Sequence, residues 1–333
     1  MPLERIYAVR ISVVKPDHIG DLILSIPAIR VLERFYEVTL FVNPNNRFLA
    51  EYLFPQISIC SLSLQHLSRE FSPRPTDQDD LASTPCDIAL FLRRDPSLER
   101  LANLLFSGKH LMVRPNSDKH ETEIQKDVVK LLTGDYSRHR YFGGPQKPPN
   151  LRSPRAVGLC VSAGFSGNAW PVGYWLTLAR SLIDRDIKVK FIGGPNEAEN
   201  IDIISRQFSH RCQISTLVGD DKIDRFLSEV ESLDYVIATD SGTAHICSLK
   251  TPIVSIFGPS PAKRYAPFGK YNRVLSADFY CSPCLQFDPE RINHCVSREC
   301  LTGFRPTSVL GELLEPTSPQ RVCFSHKVES STL

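Results

Sequence analysis

Seven residues near the start, AVRISVV at 8–14, are almost continuously apolar and rich in β-branched side chains, the pattern of a buried strand. The spacing then changes. Leu22, Ile23, Ile26, Ile29, Leu32 and Phe35 recur with helical period and predict a helix from about Ile19 to Phe35. Pro27 predicts a kink or break near Ile26, because proline lacks the backbone donor a continuous helix needs. EVTLFVN (37–43), DIALFL (87–92) and KHLMVR (109–114) read as further strands, while SREFSPRPTDQDDLASTP (68–85) is polar, proline-rich and aperiodic and reads as a surface excursion.

GGPQKPPNLRSPR (143–155) carries four prolines and no hydrophobic cluster, so it reads as a linker, with one domain at 1–150 and another at 151–333. The alternation then resumes: AVGLCVS (156–162) strand, VGYWLTLARSLIDR (172–185) helix, IKVKFIGG (187–194) strand, NEAENIDIISRQF (196–208) helix. DKIDRFLSEVES (221–232), DYVIATD (234–240), GTAHICSL (242–249) and TPIVSIFGP (251–259) continue it, and 307–314 predicts a last helix packing back toward the first domain. Strands alternating with helices imply parallel sheets covered on both faces, with ligands at the carboxyl ends of the strands.

A chain of 333 residues, 42% hydrophobic, is long enough for two sizeable cores. Thirty-nine basic against 37 acidic residues give a net charge of +2, no long-range field toward nucleic acid. No run of about 18 apolar residues occurs, and MPLERIYAVRISVV lacks the features of a signal peptide, so a cytoplasmic protein is expected. Of ten cysteines, Cys60, Cys86, Cys160, Cys212, Cys247 and Cys323 are scattered, several in apolar runs where free cysteine acts as a small hydrophobe.

Candidate chemistry sits at strand-to-helix junctions. Asp240 ends a strand, and Ser241, Gly242, Thr243 and Ala244 open a helix whose first amides can receive a phosphate or diphosphate; Asp240 as a plain helix cap is the alternative. His245 lies in the same first turn. Ser162, Gly164, Ser166 and Gly167 form a second loop able to offer amides and hydroxyls, and Trp170-Pro171 fix that loop and start the helix. Glu197, past a third strand, is placed either to accept from ribose hydroxyls or simply to sit in the first turn of a helix. Asp21, after Gly20, is either a cap or a proton acceptor. No loop spells GxGxxG with its downstream acid, GxxxxGK followed by Ser or Thr, or GxSxG, which disfavours redox, ATP-hydrolysing and esterase readings.

KPDHIGDLILSIPAIRVL (15–32), AGFSGNAWPVGYW (163–175), IGGPNEAE (192–199) and DSGTAHICSLKTPIVSIFGPSP (240–261), in that order, give the chain a resemblance to glycosyltransferase family 9, the ADP-heptose heptosyltransferases of bacterial lipopolysaccharide synthesis and their relatives. The resemblance implies an α/β GT-B enzyme: two facing Rossmann-like domains with an interdomain cleft, acceptor on the first and nucleotide sugar on the second. By it, Asp21 is the base and Lys15 lines the same cleft. Asp240 and the amides of Ser241 to Ala244 grip the diphosphate and sugar, Glu197 holds the ribose, and His245 is the motif's usual histidine.

The activity so implied is inverting transfer of a heptose-like sugar from ADP-heptose to a hydroxyl, in lipopolysaccharide or another surface glycan, without catalytic cofactor or metal. The acceptor is a glycolipid, glycan or protein hydroxyl, with transient contact to the inner membrane through a basic surface. One departure stands out: the family often has Lys two residues before the Trp-Pro pair, and here the residue is Asn168, leaving Lys263, Arg264 or another cation to neutralise the diphosphate. That keeps open a different nucleotide-sugar donor, and a non-catalytic glycan-binding or assembly protein on the same scaffold is the reading from another class.

CSPCLQFDPERINHCVSREC groups Cys281, Cys284, Cys295 and Cys300, with His294 beside them. A CxxC pair with two more thiols suits tetrahedral zinc or iron in a structural site; four reduced, buried thiols are one alternative, and disulfide or redox chemistry is another.

Overall fold

A computed structural model describes residues 9–63, 81–106, 108–142, 154–194, 197, 201, 203, 206–208, 212–216, 223–284, 295–314 and 322–325. The chain divides into two compact units, Met1–Phe142 and Gly143–Leu333. Most of the expected surface excursion, most of the expected linker, much of the 196–208 helix and His294 lie outside the described residues.

The first unit is built on five parallel strands, β1 (Arg10–Lys15), β2 (Glu37–Val42), β3 (Ser58–Ser61), β4 (Ile88–Phe91) and β5 (His110–Met112), in the order β3-β2-β1-β4-β5. Central β1 is apolar because it is covered on both faces: Ile11, Val13 and Val14 are buried, and Val13 pairs with Leu40 on one side and Leu90 on the other. The predicted long helix is two, Ile19–Leu24 and Ile26–Leu32, broken at Ser25 where the proline required it. Pro27 sits in the first turn of the second piece, whose amides have no intrahelical partner. The break is filled by hydrogen bonds: Ser25 Oγ donates to the Asp21 carbonyl at 2.8 Å and accepts from Gln125 Nε2 at 2.9 Å.

The second unit has seven parallel strands, β6 (Ala156–Cys160), β7 (Lys188–Gly193), β8 (Cys212–Thr216), β9 (Tyr235–Thr239), β10 (Ile253–Phe257), β11 (Arg273–Asp278) and β12 (Val322–Ser325), in the order β12-β11-β10-β9-β6-β7-β8. The Val172–Ile183 helix buries Trp175, Leu178, Ala179 and Leu182 in the core beside Val157, Leu159, Phe191 and Ile237. The Pro306–Leu314 helix was expected to pack toward the first domain. Its Val309, Leu310 and Leu313 enter the core of its own unit, and Arg273, which donates to Tyr235 Oη at 2.9 Å, also donates to the Glu312 carbonyl. Among the described residues no helix is long and apolar enough to cross a membrane.

Each sheet reverses its winding once, between β1 and β4 in the first unit and between β6 and β9 in the second. At such a point the loops leave in opposite directions and open a crevice at the strands' carboxyl ends. The sequence-predicted residues stand at these two places.

Candidate functional site

In the first unit, the turn leaving β1 holds a cluster of charges. Lys15, the last residue of β1, is 0% exposed. Its Nζ lies 3.0 Å from Asp17 Oδ2 and 3.8 Å from Glu121 Oε1, and both carboxylates are themselves buried. Arg93, just past β4, donates to Asp17 Oδ1 at 2.6 Å, and its Nε is 3.4 Å from the more exposed Asp95. Asn46 Nδ2 fixes the Asp17 carbonyl at 2.7 Å. Lys15 was expected to line a ligand cleft; in this structure it is fully buried against the carboxylates around it.

Asp21 lies in the first turn of the Ile19–Leu24 helix, but the cap is His18, whose side chain makes no cap bond; Asp21 is not the cap. Burial pushes the Asp21 carboxyl above its usual range; Lys15 and Arg93 pull the other way, and Asp17 and Glu121 add to the rise. Burial alone would lower Lys15, yet Asp17, Asp21 and Glu121 together hold it above its ordinary value. Asp17, Arg93 and Glu121 escaped the sequence reading. Asp17 stands two residues from Lys15 in KPDH, but Arg93 and Glu121 carry no local signal and reach the cluster only through the sheet order.

In the second unit, the loops after β6, β7, β9 and β10 are joined by hydrogen bonds. The Gly164 amide donates to the Asp240 carbonyl at 3.2 Å, and Thr239 Oγ1 donates to the Ser162 carbonyl at 3.1 Å. Asn168 is 2% exposed, and its Nδ2 lies 3.2 Å from Asp240 Oδ2 and 3.0 Å from Ser260 Oγ, which donates back to Oδ1 at 3.2 Å. Its amide thus holds Asp240 in place. Glu197 Oε2 accepts from Ser162 Oγ at 3.2 Å and from the Gly194 amide at 2.8 Å. Gly193 allows that return, since a Cβ there would stand 2.5 Å from Ile201 Cδ1 and 3.1 Å from Glu197 Cβ.

The Gly242–Cys247 helix is capped by Ser241, whose Oγ accepts from the Ala244 amide at 3.2 Å. Two expectations change. Asp240 is not the cap, and the Ala244 amide is engaged by Ser241, which leaves Gly242 and Thr243 as the amides at the helix mouth. His245 is buried within the same helix. Trp170 is buried edge-on to Trp175 and donates from Nε1 to the Phe304 carbonyl at 3.1 Å, fixing the loop before the Val172–Ile183 helix.

Cys281, Cys284, Cys295 and Cys300 line one small pocket with Gly167, Pro259 and Arg298. Gly258 permits the approach: a Cβ there would stand 3.1 Å from Cys300 Sγ. Burial, then the neighbouring thiols, pushes Cys300 up to about 12. None of the four is in a disulfide, and among the described residues no group of three or more His, Cys, Asp or Glu is disposed to hold a metal ion. The cysteines converge as their spacing predicted; a metal-holding geometry does not appear among them. Arg298, with a left-handed φ of 45°, donates to the Ser166 carbonyl at 2.6 Å and so fastens this loop to the glycine-serine loop after β6.

Residues 107–292 match the sequence profile of glycosyltransferase family 9 (heptosyltransferase). Lipopolysaccharide heptosyltransferase 1 of Pseudomonas aeruginosa is 24% identical over 160 residues, which are 47% of this chain and 40% of that protein's length. Two solved structures share the fold: a glycosyl transferase family 9 protein from Veillonella parvula (TM-score 0.68, 18% identity, 92% of this chain and 96% of that one) and the E. coli ADP-heptose lps heptosyltransferase II (TM-score 0.63, 18% identity, 91% and 97%).

Proposed function

The chain belongs to glycosyltransferase family 9, and on that premise we propose that it transfers a heptose-like sugar from ADP-heptose to a hydroxyl acceptor of a bacterial surface glycan, with inversion at the anomeric carbon. The observation that carries this reading is the hydrogen-bonded set of loops at the β6/β9 reversal: Gly164 to Asp240, Asn168 to Asp240 and Ser260, Ser162 to Glu197. These bonds preorganise small, amide-rich loops around one strand end, as recognition of a diphosphate requires. Similarity to the E. coli ADP-heptose enzyme supports the donor.

In this reading Gly242 and Thr243 offer amides to the diphosphate, Gly164 fixes the loop beside them through its bond to the Asp240 carbonyl, and Asp240 and His245 face the sugar side. The two bonds to Glu197 fall on Oε2, leaving Oε1 to accept from ribose. Asn168 brings no charge, and Lys263, Arg264 and Arg298 supply it as the leaving diphosphate gains negative charge. Asp21, in the other unit, accepts the acceptor's hydroxyl proton as the oxygen attacks, and the diphosphate departs with the electron pair. No metal is needed for that step. The protein acts in the cytoplasm on a glycolipid or glycan presented at the inner membrane.

The decisive experiment is mass spectrometry of products after incubation with a panel of nucleotide sugars and bacterial glycan acceptors. A mass gain of one heptose with ADP-heptose is expected; gain only with another nucleotide sugar overturns the donor, and no gain with any favours the binding-protein reading.

A further inference from the structure

Two buried side chains hold the backbone at Asp21, and the purpose given to them here rests on its reading as the base. Pro27 has no backbone N–H for the Ile23 carbonyl four residues back, and its ring crowds that carbonyl, so the helix carrying Asp21 stops after six residues. In a continuing helix the Ser25 amide would bond the Asp21 carbonyl. That amide turns to Leu22 at 3.0 Å, and Ser25 Oγ donates to the Asp21 carbonyl at 2.8 Å in its place. A hydroxyl has one hydrogen, and this one is committed to the carbonyl, so Ser25 Oγ can take only a donor. The donor is Gln125 Nε2 at 2.9 Å, 100 residues along the chain.

A helix of six residues does not hold its own shape in isolation, so its orientation comes from what it is tied to. Gln125 is a firm point: it ends the Glu121–Ile124 helix, opens the Lys126–Thr133 helix, and is fully buried like Ser25. Among the described residues, its Oε1 is buried without a hydrogen-bond partner. An unpaired buried oxygen lowers stability, and an apolar side chain of similar shape would avoid that loss. Stability does not ask for glutamine at 125; the hold on Ser25 does.

We propose that Ser25 and Gln125 are positioning residues for proton acceptance by Asp21. Gln125 orients the Ser25 hydroxyl, and the hydroxyl fixes the carbonyl attached to the Asp21 Cα, the atom from which the carboxylate is aimed. Neither residue touches substrate. The acceptor hydroxyl must meet that carboxylate within hydrogen-bond reach, and an error of about 1 Å in such a placement costs about 100-fold in rate.

The test uses the full chain, with transfer from ADP-heptose to heptose-deficient lipopolysaccharide read by mass spectrometry, ADP affinity by calorimetry and stability by urea unfolding. Ser25→Ala should lower the transfer rate by about 10- to 100-fold with ADP affinity unchanged, and Ser25→Thr, which keeps the hydroxyl, should restore most of it. Gln125→Met, close in shape, should lower the rate by about 3- to 10-fold. Its unfolding midpoint should stay or rise, because the unpaired oxygen goes with the amide. A purely structural role would lower rate and midpoint together.

Wild-type transfer by Ser25→Ala overturns the proposal, as does an equal loss in a folded Ser25→Thr or a Gln125→Met whose rate falls only with its stability. If Ser25→Ala loses its native circular dichroism, wild-type transfer by Gln125→Met overturns it. The Asp21→Asn background separates this from failure of the base reading. With the base removed, Ser25→Ala should lower the residual rate no further, and a full further loss overturns the positioning role alone. Wild-type transfer by Asp21→Asn overturns the base reading, and the positioning role falls with it.

Discussion

In the first unit the strand-end residues are full charges, with Lys15 packed out of water between Asp17 and Glu121 and the partly exposed Arg93 closing the far side of Asp17. In the second the corresponding places hold amides, hydroxyls and the neutral Asn168, arranged around Asp240. On the proposed function, the difference follows from what each end would have to handle. A proton acceptor must have its affinity set before the proton arrives, and burial and nearby charges set it by whole units. A diphosphate brings its own charge, so oriented neutral dipoles hold it without a desolvated counter-ion.

The contrast breaks first at Asp21. Asp21→Ala should reduce transfer by about 10²- to 10⁴-fold while ADP affinity, read by calorimetry, stays at the wild-type value; loss of both together would mean that the two units do not divide the work. In the wild type, burial raises the Asp21 carboxyl, and a base must be ionised to accept. Transfer should therefore fall, as pH drops, at a higher pH than an ordinary aspartate would give, and a rate profile locates the midpoint.

Lys15→Met removes the cation between buried carboxylates and should cost about 3–5 kcal/mol, seen as a lower denaturant midpoint for the first unit. Asn168→Ala should cost less, about 1–3 kcal/mol, because it strips partners from Asp240 and Ser260 without leaving a buried ammonium site. It should also weaken ADP binding, an effect Lys15→Met should lack. Ser241→Ala is the mildest test: losing the cap of the Gly242–Cys247 helix should cost about 1 kcal/mol in urea unfolding. A larger loss would mean the helix mouth depends on its side chain more than on its amides.

The elements were legible where the pattern was local. Val13 and Val14 announced a doubly covered strand, and Pro27 announced the break that occurs at Ser25. Asp240, Gly164 and Glu197 were legible for the same reason: each directly follows a readable strand, and strand ends are where this class of sheet binds. Hydrogen-bond direction was not legible. The alternative that made Asp240 a cap fails, because Ser241 is the cap, and the bond from the Asn168 amide to Asp240 had no signal in the sequence. Adjacent polar residues compete for the same amides, and backbone angles decide among them.

Sequence by itself determined the alternation of strand and helix, the strand-to-helix junctions and the grouping of four cysteines, because these depend on residue type and short spacing. Tertiary structure alone decided that Arg93 and Glu121, distant in the chain, join Lys15 and Asp17, because β4 lies next to β1 in the sheet and the Glu121–Ile124 helix brings its first carboxylate to the Lys15 ammonium. The strength of a base depends on charges a few ångströms away in space, and no spacing along a chain encodes that distance.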